Sequence, residues 1–145
     1  MLSLHGIVIE AINPTDEFTH YISGEFGTLV NESNTPGTNP DIKIEFTERV
    51  IPASNPVMRW GGYLAESPTT IVLRHSSRHP PIRINIGDEI NITCDKTVDP
   101  DWIWQSLIEP LFFLLQSRQG LAPVHSGAIS LENGTCVLIG GWTGI

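Results

Sequence analysis

The chain has 145 residues, 40% of them hydrophobic. That is enough for one medium domain, or one small domain and the beginning of another, around a real core, and it excludes a disordered polypeptide. Eight basic against sixteen acidic side chains give a formal net charge of -8, which repels phosphate backbones and anionic lipid, so nucleic acid and membrane surfaces are not expected as partners.

Leu4 to Glu10 is rich in β-branched residues and reads as a strand. A second, weaker strand is expected within Tyr21 to Val30. Asn31 to Pro40 is turn chemistry throughout and reads as a surface loop. Ile42-Lys43-Ile44-Glu45-Phe46-Thr47-Glu48 alternates with a period of two, placing Ile42, Ile44 and Phe46 on one buried face. Thr70 to Arg74 is another short strand. Ile82 to Ile86 and Glu89 to Cys94 alternate around Gly87-Asp88, which fits a hairpin with a two-residue turn. Residues 1–98 therefore read as a small domain built on a half-exposed antiparallel sheet.

The character changes at Asp99-Pro100, a capping residue followed by a proline at the first helical position. Trp102, Leu107, Ile108, Leu111, Phe112, Leu114 and Leu115 follow a helical period, with Pro110 kinking or dividing the helix and Gly120 ending it. Two strand-like runs, Val124 to Leu131 and Thr135 to Ile139, then flank Asn133-Gly134, a strong hairpin signal. The second run is almost continuously apolar, as in a strand covered on both faces. The predicted class is α+β, with a β-rich domain over 1–98 and a helix and hairpin over 99–145 that open a second domain.

The apolar run leads into Gly140-Gly141-Trp142-Thr143-Gly144-Ile145. A phosphate-binding loop needs a buried strand, a glycine-rich turn and a helix, because glycines let successive N–H groups wrap the phosphates. Its pattern is G-x-x-x-x-G-K-[ST]. Gly141, Trp142, Thr143, Gly144 and Ile145 fit the first five positions and form the candidate cofactor-binding segment; the lysine and the magnesium-binding hydroxyl would have to follow. The chain is thus expected to be the N-terminal part of a larger enzyme, inactive by itself. The plainer reading of the same residues is a glycine turn between strands.

From the helix end at Arg118-Gln119-Gly120, through His125, the Asn133-Gly134 turn and Val137-Leu138-Ile139, to Gly141-Trp142-Thr143-Gly144-Ile145, the order of motifs resembles HPr kinase/phosphorylase-like proteins. The resemblance covers roughly residues 99–145, about a third of the chain. It implies transfer of the γ-phosphoryl of ATP, with Mg²⁺, to a hydroxyl, usually a serine of a protein or peptide. It further implies that His125 stands beside the phosphates as a catalytic residue, and it admits a homo-oligomer. Thr143 replaces the serine usual in the family, hydroxyl for hydroxyl. Ser126 stands where many relatives carry alanine.

Other clusters read as structural. His5, His20, His75 and His79 share no spacing, and Arg74 to His79 reads as a solvated loop. Asp16-Glu17 and Asp88-Glu89 read as solvated turn residues. Trp102 and Trp104, two apart on a helix, make no single platform, and one tryptophan is expected to join the β domain to the helix. Cys94 and Cys136 lack the spacing of a disulfide framework or a zinc site, and no metal-binding residues are expected in the chain. The apolar run Leu107 to Leu115 holds Glu109 and Pro110 and is far shorter than the roughly 20 residues a membrane helix needs. The start shows no signal-peptide pattern, and a cytoplasmic location is expected. Two other readings remain: a non-enzymatic β-rich module that docks on a partner, and a different P-loop enzyme such as a small-molecule kinase.

Overall fold

The computed structural model describes residues 1–4, 6–27, 39–53, 55–74, 80–120, 126–130 and 135–140. It is a mixed α+β fold dominated by an eight-stranded, mostly antiparallel sheet. The chain divides into two compact units, Met1–Glu109 and Pro110–Ile145.

The first unit opens with a hairpin, β1 (Leu2–Leu4) against β2 (Ile7–Ile12), where a single strand is expected from composition. Gly6, at φ 81°, supplies the left-handed backbone of the reversal. A helix follows, α1 (Asp16–Phe26), which corrects the expected strand over 21–30 for the residues described there. Thr15 caps it: its side chain accepts from the Phe18 N–H at 3.1 Å. Asp16 and Glu17 lie in its first turn beside the positive end of the helix dipole, which gives this acidic pair a place in helix initiation. Phe18, Ile22 and Phe26, four apart, mark the inward face, and Gly27 at φ 39° ends the helix.

β3 (Ile42–Thr47) returns parallel to β2, so β2, α1 and β3 form a crossover. Its burial alternates as the period of two requires, with Ile42, Ile44 and Phe46 buried. Asp41, just before it, accepts the Val8 N–H on its carboxylate and gives its own N–H to the Val8 carbonyl, both at 2.8 Å. The chain then builds the outer strands β4 (Met58–Trp60), β5 (Tyr63–Ala65), β6 (Thr70–Leu73) and β7 (Ile82–Ile86), each antiparallel to the next. β4 and β5, joined at Gly61-Gly62 with Gly61 at φ 55°, are too short to show a period in the sequence. β8 (Ile90–Asp95) pairs antiparallel with β7 and parallel with β3, giving the order β1-β2-β3-β8-β7-β6-β5-β4.

The antiparallel sheet expected from the alternating runs holds for most of its pairings, but the two that flank β3 are parallel. Alternation reports which face is buried but not strand direction, which is set by the α1 crossover and by the return from β7. The turn between β7 and β8 is corrected too. Ile86 pairs with Ile90, leaving Gly87, Asp88 and Glu89 as a three-residue connection. The N–H groups of Ile86 and Ile90 go instead to the Thr69 and Asp41 carbonyls.

One face of the sheet carries the core: Ile9, Ile42, Ile44, Phe46, Ile82, Ile84, Ile90, Ile92 and Cys94 are all nearly inaccessible. α1 covers part of it, its Phe18 ring 4.8 Å from Phe46. The opposite face is polar, with ion pairs between Lys43 and Glu10 and between Arg83 and Glu66, and a Thr70–Asn85 hydrogen bond.

Asp99 caps α2 (Pro100–Ile103) as expected, accepting from the Asp101 N–H at 3.0 Å with Pro100 at the first helical position. Its continuation, Trp104–Ile108, is one π-helical turn, and α3 (Glu109–Arg118) follows. The Glu109 N–H reaches back five residues to the Trp104 carbonyl. A π-helical turn is wider than an α-helical one, and this one ends just ahead of Glu109. Ile103, Leu107 and Ile108 are buried within the first unit.

In the second unit α3 ends where expected: Gly120 has φ 77° and gives its N–H to the Ser117 carbonyl. β9 (Ser126–Ser130) and β10 (Cys136–Gly140) form the expected antiparallel hairpin. The Asn133-Gly134 turn lies outside the described residues, as does 31–38 of the expected loop.

Candidate functional site

The residues that carry the phosphate-loop reading, His125 and Gly141, Trp142, Thr143, Gly144 and Ile145, lie outside the described residues. What is described is the hairpin that leads to them. Its register pairs Ser126 with Gly140, Gly127 with Ile139 and Ala128 with Leu138. His125 is bonded to Ser126 and Gly141 to Gly140, so the two candidate positions attach to residues that face each other at one end of the hairpin. In such pairs the Cα atoms lie about 4.5–5.5 Å apart.

Among the described residues the other singled-out groups do not assemble a site. His20 is exposed on α1, while His5, His75 and His79 lie outside the described residues. Arg74 is exposed at the end of β6. No group of three or more His, Cys, Asp or Glu able to hold a metal ion occurs among the described residues. Trp104 packs tilted against Phe26 of α1, ring centroids 4.3 Å apart, so this tryptophan does link the Pro100 helix to the rest of the first unit.

Two features were not visible in the sequence. One is an apolar groove of about 190 Å³ under α1, whose lining includes Leu2, Ile9, Phe18, Ile22, Trp104 and Ile108. Its polar groups are few, and the Thr19 hydroxyl is already given to the Thr15 carbonyl at 3.0 Å. This lining can exclude water and hold apolar surface, but it offers no activated nucleophile or base. The other is a clasp between α1 and α2. The Tyr21 hydroxyl donates to Asp101 at 3.0 Å, and the Gln105 amide donates to both oxygens of the same carboxylate at 2.9 and 3.0 Å. Partial burial, the bond to Asp101 and the charges of Asp101, Glu25 and Asp99 push the Tyr21 phenol up to about 12. At neutral pH it keeps its proton and donates it to Asp101, which suits a clasp and not acid–base catalysis.

The Cys94 thiol is fully buried in β8, and burial, with the nearby Asp95 carboxylate, pushes it up to about 12. A thiol so held stays protonated and is no nucleophile. No helix among the described residues is long and apolar enough to cross a membrane. No protein-family model, curated protein or solved structure matches the chain.

Proposed function

We propose that this chain carries the opening of a P-loop phosphotransferase of the HPr kinase/phosphorylase type, transferring the γ-phosphoryl of ATP to a hydroxyl, such as a serine, of a protein or peptide. The observation that supports it most is the β9–β10 register, which attaches His125 and Gly141 to facing residues. Strand β10, read from the sequence as apolar, runs directly into the glycine-rich segment, the order a phosphate loop requires.

In this reading the backbone N–H groups of Gly141 to Ile145 would meet the phosphates, and His125 would contact a phosphoryl oxygen or move a proton. The lysine of the pattern and the hydroxyl that would hold Mg²⁺ are not among these 145 residues, so the donor set here does not fit the metal. The 145-residue chain alone is expected to show no ATP hydrolysis.

The test is phosphoryl transfer by the protein expressed with the residues that follow Ile145. The reading expects Gly-Lys-Ser or Gly-Lys-Thr there, transfer of label from ATP to an acceptor hydroxyl, and loss of transfer when that lysine is replaced by alanine. His125→Ala should lower kcat about a hundredfold or more with less effect on KM. A continuation without the lysine, or ATP hydrolysis by residues 1–145 alone, overturns it.

A further inference from the structure

Charge is distributed unevenly along the first unit. Residues 49–87 hold five of the eight basic side chains, Arg49, Arg59, Arg74, Arg78 and Arg83, but only one of the sixteen acidic ones, Glu66. That stretch carries a net charge of +4 and the rest of the chain -12. Arg83 is paired with Glu66, whereas Arg49, Arg59 and Arg74 are exposed and in no ion pair among the described residues.

This basic stretch builds the outer strands, and β4 stands last in the sheet order. On its inner side Met58, Arg59 and Trp60 pair with Ala65, Leu64 and Tyr63. Val57 also donates its N–H to the Ala65 carbonyl at 2.8 Å, so two residues of the edge face one of β5, as in a β-bulge. Trp60 and Tyr63 flank a two-residue turn and form its bonded couple. The alternation of an antiparallel pair therefore turns the N–H and C=O of Arg59 to the outer edge. No described strand occupies that edge. Beside it Val57 is 75% and Met58 62% exposed. Arg74, whose N–H bonds the Gly62 carbonyl at 2.7 Å, stands at the β4–β5 turn.

We propose that the outer edge of β4 docks an extended, acidic peptide segment of a partner protein as an added strand. Its backbone bonds Arg59, its carboxylates meet Arg59 and Arg74, and its alternate apolar side chains cover Val57 and Met58. Edge addition takes affinity from main-chain hydrogen bonds and specificity from alternate side chains, which is the combination present here. A second copy of the chain is the wrong occupant. Antiparallel self-pairing about the strand centre sets Arg59 against Arg59, and like charges directly opposite destabilise a pair. A bulge and a cation are also devices that discourage edges from self-association. The inference does not depend on the phosphotransferase reading.

The experiment is titration of the isotope-labelled 145-residue chain, followed by amide NMR, with capped peptides of alternating Glu and Val, of alternating Lys and Val, and of Glu with N-methylated Val. The expected result is a salt-sensitive shift of the Val57–Trp60 amides with the acidic peptide, and none with the other two. Arg59→Glu, at an exposed position that leaves the core intact, should weaken the acidic peptide about tenfold or more and admit the basic one. Equal response to acidic and basic peptides, shifts confined to other surfaces, no response at all, or self-association through β4 would each overturn the proposal.

Discussion

Cys94 shows how a single residue's chemistry is decided by its neighbours. It lies between Ile92 and the Asp95 end of β8 with no accessible surface, paired across the parallel ladder with Phe46. In that apolar surround the thiolate is disfavoured. With Cys136→Ser leaving it as the only cysteine, a thiol reagent should modify Cys94 no faster than the chain unfolds, yet quantitatively in denaturant; rapid labelling of the native protein would mean that the strand opens locally. Asp41 offers a second case at this scale. One short side chain and its backbone hold Val8 twice, and its carbonyl accepts the Ile90 N–H at 2.9 Å, tying the starts of β3 and β8 to β2.

At the scale of the element, α1 depends on one cap more than on propensity. Its inward stripe is short, and Phe18 is its only buried residue. Thr15 satisfies one of the four orphan N–H groups at the helix start. Thr15→Ala should cost about 1 kcal/mol in denaturant unfolding without changing the slope of the transition; no measurable loss would show that water replaces the hydroxyl at no cost. The signals for this helix were in the sequence: Thr15 before an acidic pair, then Phe18, Ile22 and Phe26 four apart. The aromatic and β-branched residues around Tyr21 suit a strand as well, so the local signal is divided. The Pro100 helix was legible for the opposite reason, since Asp99-Pro100 is a start signal that few other structures share.

For the whole molecule, Tyr21 and Cys94 both make folding depend on alkaline pH in the same direction. Each has its ordinary value in the unfolded chain, 10.0 for the phenol and 9.0 for the thiol, and about 12 in the folded one. Above the lower value the unfolded state loses the proton first. The contribution is complete below about pH 9 and lost as pH rises toward about 12. Stability measured by denaturant unfolding should fall across that window, and a Tyr21→Phe, Cys94→Ala double variant should fall less steeply. An unchanged slope would show that neither group is held in the folded state as described.

By itself the sequence determined which side of the alternating strands is buried and where the Pro100 helix starts and α3 stops. Ile42, Ile44, Phe46, Ile82, Ile84, Ile90 and Ile92 all point into the core as their alternation requires, and the Asp99 cap, the Gly120 stop and the final hairpin stand where their local chemistry puts them. These are short-range properties, set by φ, by caps and by a period of two. Of the candidate phosphate site the sequence made the glycine pattern and His125 legible, and the fold adds only the hairpin register beside them. The tertiary structure alone decided strand direction and neighbour. β3 lies parallel between β2 and β8 because α1 carries the chain back across the sheet and because β8 follows four intervening strands, and no local pattern encodes partners as far apart as Ile9 and Ile42 or Ile42 and Ile90. It also decided that β4 stands last in the order of the described strands of its sheet, since an edge exists only once the other strands have found their places.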